Sequence, residues 1–306
     1  MRCCKIGCSM LSGLFICCCL QGQFYFYANN KPEPELSWEL GGSTGIMNCL
    51  TDIGGKSGSG KKFIKDINWN KTRFCGSILV SAAWQSKFAI RLEATFGQVT
   101  GSDDVLKNAT GVARSRYYRN LQFKSTITEL ALISELHILP ALFKNSGSLL
   151  LSPYLAAGIG FFNYTPQAKL YNVWIDLRSL HTEGEGFVEY AGRHTYKTIS
   201  WCVPVGPGVK YDPSGLINLR FEILYRFTGT DYLDDVSNTY IDPALFGKYL
   251  TPTAAALAVK LYDRSAELSG GSKNSNNAIR GNPANKDAFF SLLFKISIAL
   301  GRVQRK

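Results

Sequence analysis

The sequence predicts an all-β fold, an eight-stranded antiparallel transmembrane barrel of the outer-membrane type with long extracellular loops and short periplasmic turns. Three observations predict it: side-chain alternation, the number of alternating segments, and the order of their connections. Alternation is fullest at the C-terminal end. There Phe290, Leu292, Phe294, Ile296, Ile298 and Leu300 are large and apolar, while Ser291, Leu293, Lys295, Ser297 and Ala299 between them are mostly small or polar. Successive strand side chains point to opposite faces, so this segment has one apolar face and one tolerant of water. Its length matches the roughly 9–11 residues with which a tilted strand crosses a bilayer.

Read from the start, Arg2 and Lys5 precede the uncharged apolar stretch Met10 to Leu20. This is the layout of a secretory signal, expected to span residues 1–28, with cleavage between about 22 and 28 at a small residue such as Gly22 or Ala28. The barrel domain is then 29–306. Of nine cysteines, Cys3, Cys4, Cys8, Cys17, Cys18 and Cys19 lie in the signal. Cys49, Cys75 and Cys202 lack metal-ligand spacing and are expected to pack as small apolar residues, without a disulfide framework.

The alternating segments follow in order. Leu36, Trp38 and Leu40 are interleaved with Ser37, Glu39 and Gly41. Phe74 to Trp84 alternates around Ile78 and Val80, and Phe88, Ile90, Leu92, Ala94 and Phe96 oppose Arg91 and Glu93. Leu130, Leu132 and Leu136 oppose Glu129, Ala131, Ile133 and Glu135. Leu149 to Phe162 carries Leu155, Ala157, Ile159 and Phe161 on one face. Ile199 to Tyr211 carries Trp201, Val203, Val205 and Val209, although Pro204 and Pro207 weaken its ladder. Ile217, Leu219, Phe221, Ile223, Tyr225 and Phe227 alternate with Asn218, Arg220, Glu222, Leu224 and Arg226. With the last segment the total is eight, the even number of single-chain barrels. Short connections at Gln85-Ser86-Lys87, Pro140 to Ser146 and Asp212-Pro213-Ser214-Gly215 take turns with long ones over 42–72, 98–120, 163–198 and 229–286. Such barrels keep short turns in the periplasm and long loops outside.

The inward face would carry Glu39, Arg91, Glu93, Glu129, Glu135, Lys210, Arg220, Glu222, Arg226 and Lys295, five of each sign. Eight strands leave a lumen just wide enough for side chains to fill, so these charges form a paired network rather than an ion path. The net charge of +11 is scattered, without a basic stripe interleaved with aromatics. A nucleic-acid partner is therefore not expected, and anionic lipid headgroups account for the charge more simply.

Other candidates read blandly. Gly55-Lys56-Ser57-Gly58-Ser59-Gly60-Lys61-Lys62 nearly spells a phosphate loop, but lysine stands where Ser or Thr ligates magnesium. A lipid-modifying barrel enzyme needs a serine beside a histidine; no Gly-x-Ser-x-Gly elbow is present, and His137, His181 and His194 read as satisfied polar histidines. Asp231, Asp234, Asp235 and Asp242 offer carboxylates without EF-hand spacing, which favours turn and cap roles over calcium. Ala254 to Leu261 predicts a short helix, and Ser269 to Asn277 a polar excursion. No catalytic residue, metal or cofactor is expected.

One run is recognisable: Tyr225-Arg226-Phe227-Thr228-Gly229-Thr230-Asp231-Tyr232-Leu233-Asp234-Asp235-Val236-Ser237-Asn238-Thr239-Tyr240-Ile241-Asp242-Pro243. Together with Glu39-Leu40-Gly41-Gly42, Asp52-Ile53-Gly54, Arg119-Asn120-Leu121-Gln122-Phe123-Lys124 and Arg280-Gly281-Asn282-Pro283 followed by Asp287, it resembles the outer-membrane barrel subunit of the type IX (Por) secretion and gliding machinery and its uncharacterised relatives. The resemblance implies a non-enzymatic barrel in outer-membrane lipid that ties a periplasmic ring, built from a lipoprotein and its partner, to the membrane. The 163–198 loop, Pro207 and the ending Arg302-Val303-Gln304-Arg305-Lys306 depart from that pattern. The alternatives are a structural or adhesive barrel unrelated to secretion, a small pore, and a lipid-modifying enzyme.

Overall fold

The computed structural model describes residues 36–54, 69–142, 150–213, 216–268 and 272–300. The expected signal segment, the Gly55 to Lys62 loop, the Ser214-Gly215 turn and part of Ser269 to Asn277 lie outside the described residues. The strands are β1 (Leu36–Leu50), β2 (Arg73–Trp84), β3 (Phe88–Ser102), β4 (Gln122–His137), β5 (Leu151–Leu170), β6 (Val173–Asp176), β7 (Ile199–Tyr211), β8 (Ile217–Thr228) and β9 (Ala288–Leu300). Among them stand the helices α1 (Val112–Arg119), α2 (Ile138–Leu142), α3 (Phe246–Tyr249) and α4 (Pro252–Leu261).

Eight strands form one closed antiparallel ring, in which β9 pairs with β1 from Trp38↔Leu300 to Leu50↔Ala288 and β4 pairs with β5. The short β6 stands outside the ring, folded against the top of β5 by the turn at Tyr171 and Asn172. Closure removes the edges that would leave unpaired N–H and C=O groups in hydrocarbon. Pro204 and Pro207 fall where the ladders of β7 with its neighbours are interrupted, yet the register is the same on both sides of each gap. Pro207 points outward and Pro204 inward, so neither breaks the ring.

The apolar residues of each strand are on the outside. Leu40, Leu92, Leu132, Ile159, Phe221 and Ile296 are each about half exposed, a belt that makes sense only against lipid. Exposed aromatics mark both margins. Trp38, Trp84, Phe88 and Tyr211 stand at the short-turn end, and Phe74, Phe96, Phe161, Trp201 and Phe227 at the long-loop end. These are the girdles of a transmembrane barrel.

Four strands run further than their apolar alternation suggests. The loops expected at 42–72, 98–120 and 163–198 begin with strand: β1 continues to Leu50, β3 to Ser102 and β5 to Leu170, and β4 begins at Gln122. Above the belt the outward residues turn polar, for example Thr126, Thr128, Asn163 and Thr165, while Phe123, Ile127 and Tyr164 stay buried inside. The wall keeps its ladder but faces water. The four connections that remain long, L1 (51–72), L2 (103–121), L3 (171–198) and L4 (229–287), all leave from this raised rim.

The lumen has two storeys. In the lower one Lys210, Glu39, Arg220, Glu135, Arg91, Glu222, Glu93 and Lys295 form one continuous chain of ion pairs. Arg91 is bound by three carboxylates, with Nη2 at 2.9 Å from Glu222 and Nε at 2.8 Å from Glu93, and Glu135 on Nη1. Lys295 reaches Glu93 and Glu222, each at 2.7 Å. Arg226 pairs separately with Glu129 at 2.9 Å. Gly208 leaves room for the Tyr154 ring, whose hydroxyl donates to Glu222 at 2.8 Å; a Cβ there would lie 2.3 Å from that ring. The upper storey is apolar: Met47, Val99, Phe123, Ile127, Phe162, Tyr164, Phe289 and Leu293 close the bore above the charges.

Removing a partner from a buried charge leaves the other ion unpaired, which costs about 3–5 kcal/mol. Arg91→Met leaves three wholly buried carboxylates, Glu93, Glu135 and Glu222, to share Lys295 and the more distant Arg220. It is expected to cost about 3–5 kcal/mol, read as a lower urea midpoint of the barrel folded in vesicles. Lys210→Met, at the wetter mouth where Arg220 still holds Glu39, is expected to lose less than about 1 kcal/mol.

Candidate functional site

The motif residues that lie far apart in sequence meet above the apolar storey. Leu233 and Val236 of L4 are wholly buried in the apolar cluster and cork the bore. Their backbone is held from both sides, because Leu233 N–H donates to Asp287 Oδ2 at 2.8 Å and Val236 N–H to Asp234 Oδ1 at 3.0 Å. The other oxygen of Asp234 accepts from Ile53 N–H at 2.8 Å, tying L4 to L1.

Two arginines knot the four loops. The Arg119 guanidinium forks onto Asp103 at 2.8 and 2.9 Å, donates to the Asp52 carbonyl at 2.7 Å, and also donates to the Arg280 carbonyl. Arg280 in turn donates to Glu183 at 2.9 Å, to the Asp235 carbonyl at 2.7 Å and to the Tyr262 carbonyl at 3.1 Å. Five donors in a rigid fork suit a residue that must satisfy several chain segments at once. Asp52 accepts from Asn282 N–H at 2.6 Å, which brings the chain so close at Gly281 that a Cβ there would lie 2.7 Å from both Asp52 Oδ2 and Ser237 N. Asp235 accepts from Thr182 and Tyr196, each at 2.5 Å, and Asp231 accepts from Ser237 at 2.7 Å. Tyr232 stacks on Tyr196 at 4.5 Å between centroids.

Around the knot a second core builds an ordered cap from L3 and L4. Leu177, Leu180, Phe187, Tyr240, Ile241, Phe246, Ala258, Leu261 and Tyr262 pack together, with α4 laid over the hairpin of β5 and β6. The predicted helix at Ala254 to Leu261 is α4, which begins two residues earlier at Pro252 with Thr251 as its cap. Asp242 stands apart from the other aspartates and accepts from Ala244 N–H at 3.0 Å. Pro283 is exposed at the rim. Among the described residues no group of three or more His, Cys, Asp or Glu side chains is arranged to hold a metal ion.

Sequence reasoning missed the partners Asp103, Thr182, Glu183 and Tyr196. The only local sign was the run Glu183-Gly184-Glu185-Gly186, whose glycines take positive φ of 74° and 83°.

His137 closes β4, with Nδ1 3.0 Å from Ser152 Oγ and Nε2 3.5 Å from Glu135. This has the order of a nucleophile, base and acid. Yet Glu135 is committed to Arg91, and all three side chains are buried among lumen charges, facing away from lipid. The arrangement satisfies a buried imidazole. His181 is only partly buried and His194 is exposed, both in L3. Cys49, Cys75 and Cys202 are buried free thiols.

No family model matches the chain, and no curated protein matches it in sequence. Among solved structures it is similar to Neisserial surface protein A, at 7% identity over 87% of this chain and 97% of that one with a TM-score of 0.37. It is also similar to Ail of Yersinia pestis, at 7% identity, the same two coverages and 0.34. The N-terminal barrel domain of Pseudomonas aeruginosa OprF aligns at 9% identity over 86% and 97% with 0.32.

The cap's buried acids outnumber its buried bases. Burial pushes Asp235 up to about 6, Asp231 to about 7 and Glu185 to about 8, so they keep protons that an unfolded chain would release near 4. Raised folded-state values stabilise the cap at low pH, and that contribution is lost as pH rises through about 6 to 8. Amide exchange in L3 and L4 is therefore expected to quicken between pH 5.5 and 8.5 beyond its intrinsic dependence on hydroxide, while the barrel strands follow the intrinsic dependence alone.

Proposed function

We propose that this chain is a non-enzymatic outer-membrane barrel that serves as the membrane anchor of a multiprotein assembly, the type IX secretion machinery. The observation that supports this reading is the convergence of the motif residues. Asp52, Arg119, Asp231 to Ser237, Arg280 to Asn282 and Asp287 carry the resemblance, and they occupy one knot rather than scattered surface loops. A filled and corked lumen suits a scaffold and gives no path to an ion. The anchored partners are a periplasmic ring lipoprotein and its companion.

A second reading, an adhesive or receptor barrel, is favoured by where the folded mass lies. L2, L3 and L4 build a cored cap beyond the rim, whereas the described short-turn end offers only Gln85–Lys87, α2 and the ends of the last turn. Long loops face outside in such barrels, so this mass stands on the cell surface.

Affinity capture of the full chain from detergent-solubilised outer membrane separates the two. An anchor brings down periplasmic ring components, and its deletion blocks export of cargo bearing a C-terminal sorting domain; recovery of surface-exposed partners alone overturns the anchor. In planar bilayers the intact chain is expected to give no discrete conductance steps. A fluorophosphonate probe is expected to leave Ser152 unlabelled, and labelling abolished by His137→Ala would overturn the non-enzymatic reading.

A further inference from the structure

Buried acids of the cap, Asp103, Glu183, Asp231, Asp234, Asp235 and Asp287, outnumber its buried bases Arg119 and Arg280. On the exposed face the balance is reversed, with Lys107, Arg114, Lys197, Lys248, Lys260 and Lys286 against Asp104, Asp176, Glu189 and Glu267. On one flank two lysines stand against exposed aromatic rings.

That flank is the outward face of β4, β5 and β6 above the belt. Lys124 Nζ stands 4.3 Å from the centroid of Trp174, which is 38% exposed, and Lys169 is the register partner of Trp174. Higher up, Lys260 Nζ lies 5.1 Å over the Tyr171 ring and 3.3 Å from its hydroxyl, and Tyr171 is 78% exposed. Of the nearby acids, Glu267 pairs with Arg264 at 2.9 Å. Asp176, two residues along β6 from Trp174, accepts from the neutral Gln167 amide at 2.5 Å and sets one negative charge against Lys124 and Lys169. None of these groups supports the core or the knot. The two aromatic–lysine pairs form a track running up the outer wall.

We propose that this track binds the phosphorylated core saccharide of a glycolipid standing in the surrounding leaflet. Ring faces of Trp and Tyr accept the apolar faces of sugars, and ammonium groups accept phosphates. Height identifies the source. Lys124 lies six residues beyond Leu130, the last belt residue of β4. At about 3.3 Å per residue and a tilt near 40°, that places Lys124 and Trp174 roughly 15 Å above the hydrocarbon edge. This is past the depth of a lipid phosphate and at the level of sugars attached to it. Thr126, Thr128, Asn163 and Thr165 fill the interval with neutral hydroxyls and amides. A polymer arriving from outside meets the crown of the cap first, whereas a saccharide rising from the membrane runs alongside this wall.

The test uses the purified full chain in detergent and native mass spectrometry, with four probes. They are a glycolipid bearing a phosphorylated core, the same molecule after phosphatase treatment, the core-less lipid, and a soluble acidic polysaccharide. The core-bearing glycolipid is expected to be retained, and Trp174→Ala or the pair Lys124→Gln with Lys169→Gln to weaken retention about fivefold or more. Tyr171→Ala, at an exposed hairpin tip, is expected to weaken it about threefold. Heat-modifiable mobility shows that each variant is folded, and a variant that fails to fold is replaced by Trp174→Leu. Equal retention of the core-less or dephosphorylated lipid overturns the proposal, as does unchanged retention by the folded variants. Tighter binding of the soluble polysaccharide than of the glycolipid overturns the assigned source.

Discussion

A peptide N–H placed in hydrocarbon has no water to bond, and the rest of this molecule depends on that constraint. It is met here by closing eight strands into a ring, with β9 returning to β1. Closure at eight fixes a bore too narrow to stay empty and too wide for small residues alone. Long charged side chains fill its lower half, and once buried they must pair. The chain of ion pairs from Lys210 to Lys295 is thus a consequence of strand number rather than a separate invention.

The same closure explains the change of chemistry with height. Below the rim, lipid on the outside demands apolar residues and leaves polar ones to the inside. Above it, water on the outside reverses the assignment, so the interior becomes the apolar side. Met47, Phe123, Phe162 and Phe289 belong to that upper interior. Leu233 and Val236 complete it from L4, which couples loop order to barrel order through packing as well as through hydrogen bonds.

Strand number, lumen face and connection order were legible because the period-2 pattern is imposed wherever one side is lipid. All ten charged residues assigned to the bore from alternation are in it. The pattern fails at the rim, where Thr126, Thr128, Asn163 and Thr165 look like loop although the ladder continues. The knot was half legible. Asp52, Arg119, Asp234, Arg280 and Asp287 stood out as motif residues, but nothing local told which would touch. Asp52 and Asn282 are 230 positions apart, and such contacts carry no periodicity. Asp103, Thr182 and Tyr196 had no signal of their own and Glu183 only the glycines beside it, since an acid or hydroxyl beside a turn ordinarily caps it.

The knot also sets an order of assembly. Its floor includes Phe289 and Leu293 of β9, the last strand of the ring, and its ties join L1 and L2 to the far end of L4. Contacts between segments so distant in sequence form late, after the intervening chain has been organised. The floor on which Leu233 and Val236 pack is complete only once β9 has docked on β1. The knot is therefore completed only on a finished barrel, and its ties register that the ring has closed.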